Sequence, residues 1–370
     1  MGVSNTHGCV SGLFSPVPKE RRSELFDREE ELAALTRHVS GGAPLVLCLG
    51  VRRVGKTSVV KTFLNESGLP NIYLDARSLA ALGYTRQGLY RALSDALTRL
   101  RGRFADVSEY LGRVRGIRVG PFGVELDWRK RGTSFLSLLE RMEEYAESRG
   151  TVFVVAIDEA QDLRLLKGLD LVKLLAYSYD NLRRVKFLLT GSEAGLLYGF
   201  LKLDERDAPL YGRARDEVRV ERFSREKSLE YLAAGFAEAG ISPPEEELER
   251  AVEIFDGIPG WLALYGYAAC RGRRDALDAS LEEAVRTALG ELRHIASASE
   301  LYAHVLRAVS MGHARWSAVK RAVEIWTGRH IYDETLRRVL NKLTSMGILA
   351  KEGEEYRFLD PIYRRAAERL

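Results

Sequence analysis

Gly50-Val51-Arg52-Arg53-Val54-Gly55-Lys56-Thr57 decides the fold. It is preceded by the apolar run Leu45-Val46-Leu47-Cys48-Leu49, which reads as a buried strand, and followed by Ser58-Val59-Val60-Lys61-Thr62-Phe63-Leu64, which reads as a helix. Strand, glycine loop and helix start together make a phosphate cradle. The two glycines let the backbone curl so that its N–H groups converge on an anion, backed by the positive end of the helix. Gly50, Arg52, Arg53, Val54, Gly55, Lys56, Thr57 and Ser58 are therefore expected to hold a nucleotide's phosphates. Lys56 would reach the β- and γ-phosphates, and the Thr57 hydroxyl would ligate Mg²⁺.

Working outward, apolar runs and helical periodicities alternate. Further strands are expected at Asn71–Asp75, Thr151–Ile157, Val185–Thr190 and Glu217–Val220, with helices between them at about 85–101, 133–148 and 170–182. Alternation of this kind predicts an α/β domain with a parallel five-stranded sheet, the architecture of a P-loop NTPase. An Arg- and Gly-rich insertion at about 115–130 carries Ile117-Arg118-Val119 and Val124-Glu125-Leu126 around Gly120-Pro121-Phe122-Gly123, the pattern of a β-hairpin. Upstream, Asp27 is the expected N-cap of a helix with an acidic first turn.

From Ser224 onward only helical patterns appear until the end, where three helices precede two short strands at 348–351 and 356–359. The expected division is a P-loop domain over 1–222, an all-helical segment over 223–290 and, over 291–370, a helical domain that ends in the two strands.

A second nucleotide element follows the strand at 151–157. Asp158 and Glu159 sit at the sheet edge that faces the phosphates, so Asp158 is expected to hold the Mg²⁺ shared with Thr57, and Glu159 to act as general base on water. No Asp-x-x-Gly occurs here and no Asn-Lys-x-Asp later, so the nucleotide is ATP and the reaction hydrolysis to ADP. At the end of the next strand, Ser192 or Thr190 could sense the γ-phosphate. Arg213, just before the fifth strand, could supply a cationic finger to a neighbouring subunit's phosphate in a nucleotide-dependent homo-oligomer.

Bulk properties exclude several classes. No apolar stretch is long enough to span a bilayer, and the N-terminus lacks the basic and apolar regions of a signal peptide, so the expectation is a cytoplasmic protein with no membrane association. Cys9, Cys48 and Cys270 are far apart and odd in number, which fits neither a disulfide framework nor a zinc site. Arginine dominates the cations, 44 against 12 lysines, and glutamine occurs only at positions 87 and 161. Such a composition suggests a thermophile or a GC-rich genome. The net charge of +4 resides in residues 299–370, so any electrostatic partner preference belongs there.

Taken in order, Phe26-Asp27-Arg28-Glu29, the Gly-x-Arg-Arg-x-Gly-Lys-Thr loop, Ile157-Asp158-Glu159-Ala160-Gln161, Leu189-Thr190-Gly191-Ser192 and Asp256-Gly257-Ile258-Pro259-Gly260-Trp261-Leu262 resemble the archaeal ATPase family. That family is placed with the STAND branch of AAA+-like P-loop ATPases, near the archaeal Orc1/Cdc6 initiators. The resemblance covers about residues 15–370. It implies that the segment containing Phe26 and Arg28 lines an adenine pocket and that Pro259 lets a helical lid touch the nucleotide. Residue 192 is Ser where AAA+ relatives often carry Asn.

The C-terminal segment also looks like the winged helix of those relatives. Leu336, Val339, Leu340 and Leu343 form a core stripe, with Asp333 as the cap and Arg337, Arg338, Asn341 and Lys342 on the opposite face. That face suits DNA contact, and the acidic wing (Glu352, Glu354, Glu355) suits a protein-contact or latch role; both readings stand.

Overall fold

The computed structural model describes residues 12–370 except 105, 108–109, 111–116, 121–122 and 127–134; within 117–126, Val124 is the one side chain described. The run before the glycine loop forms β1 (Leu45–Leu49), buried at every position. With β2 (Asn71–Asp75), β5 (Phe153–Asp158), β6 (Val185–Gly191) and β7 (Asp216–Arg219) it builds a sheet of order β2-β5-β6-β1-β7, parallel at every pairing. The three inner strands are buried throughout while the edge strands β2 and β7 are not, as expected where helices cover both faces. Alternate side chains serve two cores. Leu47, Val155 and Leu189 pack beneath α3 (Arg86–Arg103), α4 (Phe135–Ser148) and α5 (Leu171–Asn181). Val46, Cys48, Val154 and Leu188 pack against α1 (Glu29–Ser40) and α2 (Lys56–Glu66).

Register sets the chemistry at one level. Leu74, Ile157, Leu189, Leu47 and Glu217 lie side by side across the sheet, so the polar residues that follow in β2, β5 and β6 (Asp75, Asp158, Thr190) emerge together at the C-terminal edge beside the loop that leaves β1. The two strands of the expected hairpin are present as β3 (Ile117–Gly120) paired antiparallel with β4 (Gly123–Leu126), its turn at 121–122 and its flanks at 115–116 and 127–130 lying outside the described residues, and Val124 is buried in the core under α3.

The rest of the chain is helical until its end: α6 (Ala194–Leu201) belongs to the sheet domain. Then follow α7 (Arg225–Ala239), α8 (Glu245–Phe255), α9 (Pro259–Cys270), α10 (Ala276–Ala296), α11 (Glu300–Ser310), α12 (Trp316–Thr327) and α13 (Asp333–Ser345). The strands β8 (Leu349–Glu352) and β9 (Glu355–Phe358) and a last helix α14 (Pro361–Ala367) complete the winged helix. One hydrophobic core joins α7 to α14 with β8 and β9. Leu336, Val339, Leu340 and Leu343 are buried in it as the stripe predicts.

Four details differ from the sequence reading. Leu13 and Phe14, grouped there with the P-loop domain, are buried in the helical core; Phe14 fills a slot where a Cβ at Gly235 or Gly266 would meet its ring at 2.4 Å. The boundary at 290/291 falls inside α10, because Gly290 faces open space and costs the helix only propensity. Asp27 and Asp333 cap nothing. Asp27 is left-handed (φ 51°) with its carboxylate near Lys227, and Asp333 is the first residue of α13, paired with Lys320. Finally, α14 was not anticipated, although Asp360-Pro361 spells an N-cap followed by a first-turn proline, and the Asp360 carboxylate accepts from the Ile362 N–H.

The winged helix packs closely on the sheet domain at the turn that follows α13. A Cβ on Gly195 would lie 2.6 Å from the Ser345 Cα, and one on Gly347 would lie 3.2 Å from the Ser192 carbonyl oxygen. Among the described residues no helix is long and apolar enough to cross a membrane.

Candidate active site

Gly50 and Gly55 adopt positive φ, and at Gly50 a Cβ would collide with the Val220 carbonyl oxygen at 2.2 Å. Glycine is therefore required where β1 turns into the loop. Arg53 also has positive φ (67°), an uncommon state for a residue with a side chain. The loop opens on a cavity of about 590 Å³ walled by the N-terminal segment, the sheet edge, α9 and α10. Phe26, Arg28, Pro259 and the loop residues from Arg52 to Ser58 all line it, as do Glu159 and Ser192.

Lys56 is buried, and its ammonium donates to the Gly50 and Val51 carbonyls at 2.9 and 2.8 Å. Burial pushes its pKa down, against the opposing charges of Glu159 and Asp158. Thr57 donates to Asp158 Oδ2 at 2.8 Å, Tyr73 donates to the same oxygen at 2.7 Å, and Thr190 donates to Oδ1. Thr190 is thereby a partner of Asp158, and its Oγ also accepts from the Glu159 N–H. Thr57 and Asp158 present adjacent hard oxygens of the kind Mg²⁺ takes from protein, the ion's other positions being left to phosphate and water.

Glu159 is left-handed (φ 50°) and held by one oxygen. Its Oε2 accepts from Gln161 Nε2 and Ser192 Oγ, both at 2.6 Å, and from the Ser192 N–H at 3.2 Å. Burial alone would raise its pKa; Lys56 together with these donors outweighs burial and leaves the carboxylate below the usual range. Ser192 therefore serves Glu159 in this structure.

The other half of the loop reaches far along the chain. Arg52 donates to Glu193 Oε1 at 2.5 Å and to Glu291 Oε2 at 2.8 Å. Arg53 donates to Glu291 Oε1 at 2.6 Å and to the Tyr363 hydroxyl at 3.3 Å, and its guanidinium lies 4.2 Å from the centre of the Trp261 ring. Tyr363 in turn donates to Glu291. Trp261 Nε1 donates to Asp360 at 2.9 Å, and the Gly260 N–H donates to the Arg53 carbonyl at 2.9 Å. Pro259 opens α9 as its first-turn proline; Gly260 allows the Arg53 backbone to approach, since a Cβ there would meet Arg53 Cβ at 2.8 Å.

On the opposite wall Phe26 stacks edge-on with Phe223 and Tyr231 at ring separations of 5.6 and 5.5 Å, giving an apolar end to the cavity. Arg28 is buried and fastened to the Glu221 and Val54 carbonyls at 2.8 and 3.3 Å, over the Phe223 ring. Arg213 is not brought to this chain's phosphate loop. It bonds to Asp180 and the Pro209 carbonyl, between the end of α5 and the start of β7, at the sheet edge opposite the loop.

Sequence reasoning missed Glu193, Gln161, Glu291 and Tyr363. Only Gln161 and Glu193 lay beside a recognised motif; Glu291 and Tyr363 lie 239 and 310 positions from their arginine partners.

Comparison with known proteins places the chain in a family. Residues 25–264 match the family model described as an ATPase domain predominantly from Archaea. The chain belongs to this ATPase family. Residues 296–359 of the ATPase match a second model, the winged helix-turn-helix domain at the C-terminus of MCM proteins. The structure of the Walker-type ATPase PABY2304 of Pyrococcus abyssi is 36% identical, with a TM-score of 0.85 over 97% of this chain and 100% of that one. The Orc2 protein of Aeropyrum pernix shares the fold at lower identity. Its ADPNP–ADP complex is 16% identical with a TM-score of 0.53 over 97% and 98% of the two chains; its ADP form is 15% identical with a TM-score of 0.57 over 96% of each. No curated protein matches the ATPase.

Proposed function

We propose that this ATPase is a slow, Mg²⁺-dependent molecular switch, in which ATP bound on the loop is hydrolysed and its presence is read by the lid and the winged helix. The observation that carries the reading is the double attachment of the nucleotide site. Glu291 and Tyr363 grip the loop arginines, and the Ser345–Gly347 turn sits against the Ser192–Gly195 segment that restrains Glu159. Phe26 and Pro259 would flank the base, the loop amides and Lys56 the phosphates, and Thr57 with Asp158 the metal. When bound, Mg²⁺ would neutralise charge on the phosphate oxygens.

Glu159 would draw a proton from water as the water oxygen bonds to the γ-phosphorus and the bridging P–O bond breaks. ADP leaves with that bond's electron pair, and the proton ends on phosphate. Ser192 and Gln161 occupy the carboxylate oxygen Oε2 of Glu159, which favours slow turnover until they let go. Lys56→Ala should abolish nucleotide binding measured by calorimetry, whereas Glu159→Gln should keep binding and lose turnover. Normal turnover in Glu159→Gln would remove this residue from the base role.

A second reading, DNA association, is favoured by the exposed Arg337, Arg338 and Asn341 on α13 beside half-buried Lys342. Against it, Arg337, Arg357 and Arg315 are already paired with Glu334, Glu352 and Glu355 within the winged helix, so the latch role is the first choice. Titration of duplex DNA at several salt concentrations tests it. The DNA reading requires affinity that falls with salt and with Arg337/Arg338→Ala, and absence of binding at low salt ends it. Arg213, remote from its own loop, keeps the part of a finger reaching a neighbouring subunit, a role that requires a nucleotide-dependent oligomer.

A further inference from the structure

Arg52 occupies the middle of a loop built to hold an anion, yet both of its bonding partners are carboxylates. Glu193 follows Ser192, whose hydroxyl bonds to Glu159, so the guanidinium is held on the side of the cavity where Lys56 and Glu159 meet. Glu291 comes from α10 and is shared with Arg53. The Arg52 Nε is buried with no hydrogen-bond partner among the described residues, so its donors are not fully used in this arrangement. The cavity wall as a whole carries six cationic side chains against five carboxylates. A polyanion entering such a site would repel Glu193 and Glu291 and offer the guanidinium phosphate oxygens in their place, an exchange that keeps forked, charge-assisted hydrogen bonds.

We propose that Arg52 is a catalytic residue supplied in cis: its guanidinium leaves Glu193 and Glu291 to bind the terminal phosphate of ATP, and the loss of that bond weakens the hold of α10 on the loop, leaving Glu291 to Arg53 and Tyr363. The inference rests on the ATP-hydrolysis reading and adds the group that tells triphosphate from diphosphate. Arg53 has a different part. Its stacking on Trp261, its bond to Tyr363 and its backbone contact with Gly260 fasten it to the lid and last helix.

The test compares ADP with a non-hydrolysable ATP analogue on the full-length chain with Mg²⁺. In Arg52→Ala the affinity for ADP should stay within about twofold while the preference for the analogue over ADP falls by about tenfold or more. Turnover should fall at least about a hundredfold, approaching the effect of a phosphate-directed arginine. Equal losses for both nucleotides would make Arg52 a support of the loop, and an unchanged preference with unchanged turnover would remove it from the chemistry; either overturns the proposal. If Arg52→Ala does not fold, Glu193→Gln carries the test. It weakens one restraint without removing the guanidinium, so the analogue-over-ADP preference should rise by about threefold; an unchanged or lowered preference overturns the proposal. Failure here is separable from failure of the ATPase mechanism. Loss of all nucleotide binding in Lys56→Ala with no effect of Arg52→Ala sinks this inference alone, whereas nucleotide binding retained in Lys56→Ala sinks the reading beneath it.

Discussion

The two halves of one loop behave differently. Gly55, Lys56 and Thr57 find their partners within the sheet domain: Lys56 on the loop's own carbonyls, Thr57 on Asp158 at the adjoining sheet edge. Arg52 and Arg53 reach beyond it, to a lid helix and the last helix of the chain, although Arg52 also bonds to Glu193 within the sheet domain. The first half is chemistry that a parallel sheet delivers by register alone. The bonds of the second half to Glu291 and Tyr363 exist only when three parts of the chain are assembled, and the proposed switch would act there.

The comparison breaks most visibly if damage to the first half spreads to assembly. Asp158→Asn should remove the charge that Thr57, Tyr73 and Thr190 orient, lowering kcat by about 10²- to 10³-fold, the scale of losing one fixed electrostatic partner of a transition state. Hydrogen exchange in α10 and α14 should be unchanged. Faster exchange in those helices together with the loss of turnover would mean that the halves are one unit.

How far the sequence could be read follows the same division. Spacing along the chain located the glycine loop, the acidic pair after β5 and the alternating elements, because each depends on contacts between neighbours in sequence or on strand periodicity. The parallel five-stranded sheet matches that reading, with β1, β5 and β6 buried as their apolar runs require. Ser192 was legible as a hydroxyl at the right edge, but its bond to Glu159 depends on the left-handed turn at residue 159, which no residue there announces. Glu291 was illegible for a different reason. It lies on a charged helical surface among many glutamates, and only the docking of α10 against the loop separates it from them.

Glu291→Gln sharpens the comparison from the other side. The substitution keeps the shape and removes the charge that Arg52, Arg53 and Tyr363 converge on, so docking of the lid should weaken by about 2 kcal/mol, the worth of a hydrogen bond to a charged group. Native-state exchange in α10 and α14 reads this directly.

The same variant has a signature in pH that a merely structural loss would lack. Burial would raise the Glu291 pKa, but Arg53, the Tyr363 hydroxyl and Arg52 overcome burial and hold it below the ordinary glutamate value of 4.5. When the lid undocks, those partners are lost and the value returns towards 4.5, so between the two values the undocked state binds more protons. The stabilisation from Glu291 is thus fully present above pH 4.5 and disappears as the pH falls through the lowered value. Thermal unfolding of the wild type and of Glu291→Gln, followed from neutral pH downward, should therefore differ most at neutral pH and converge under acid. A gap that stays constant with pH would mean that the glutamine substitution disturbs packing and that the charge on Glu291 is not what fastens the lid to the loop.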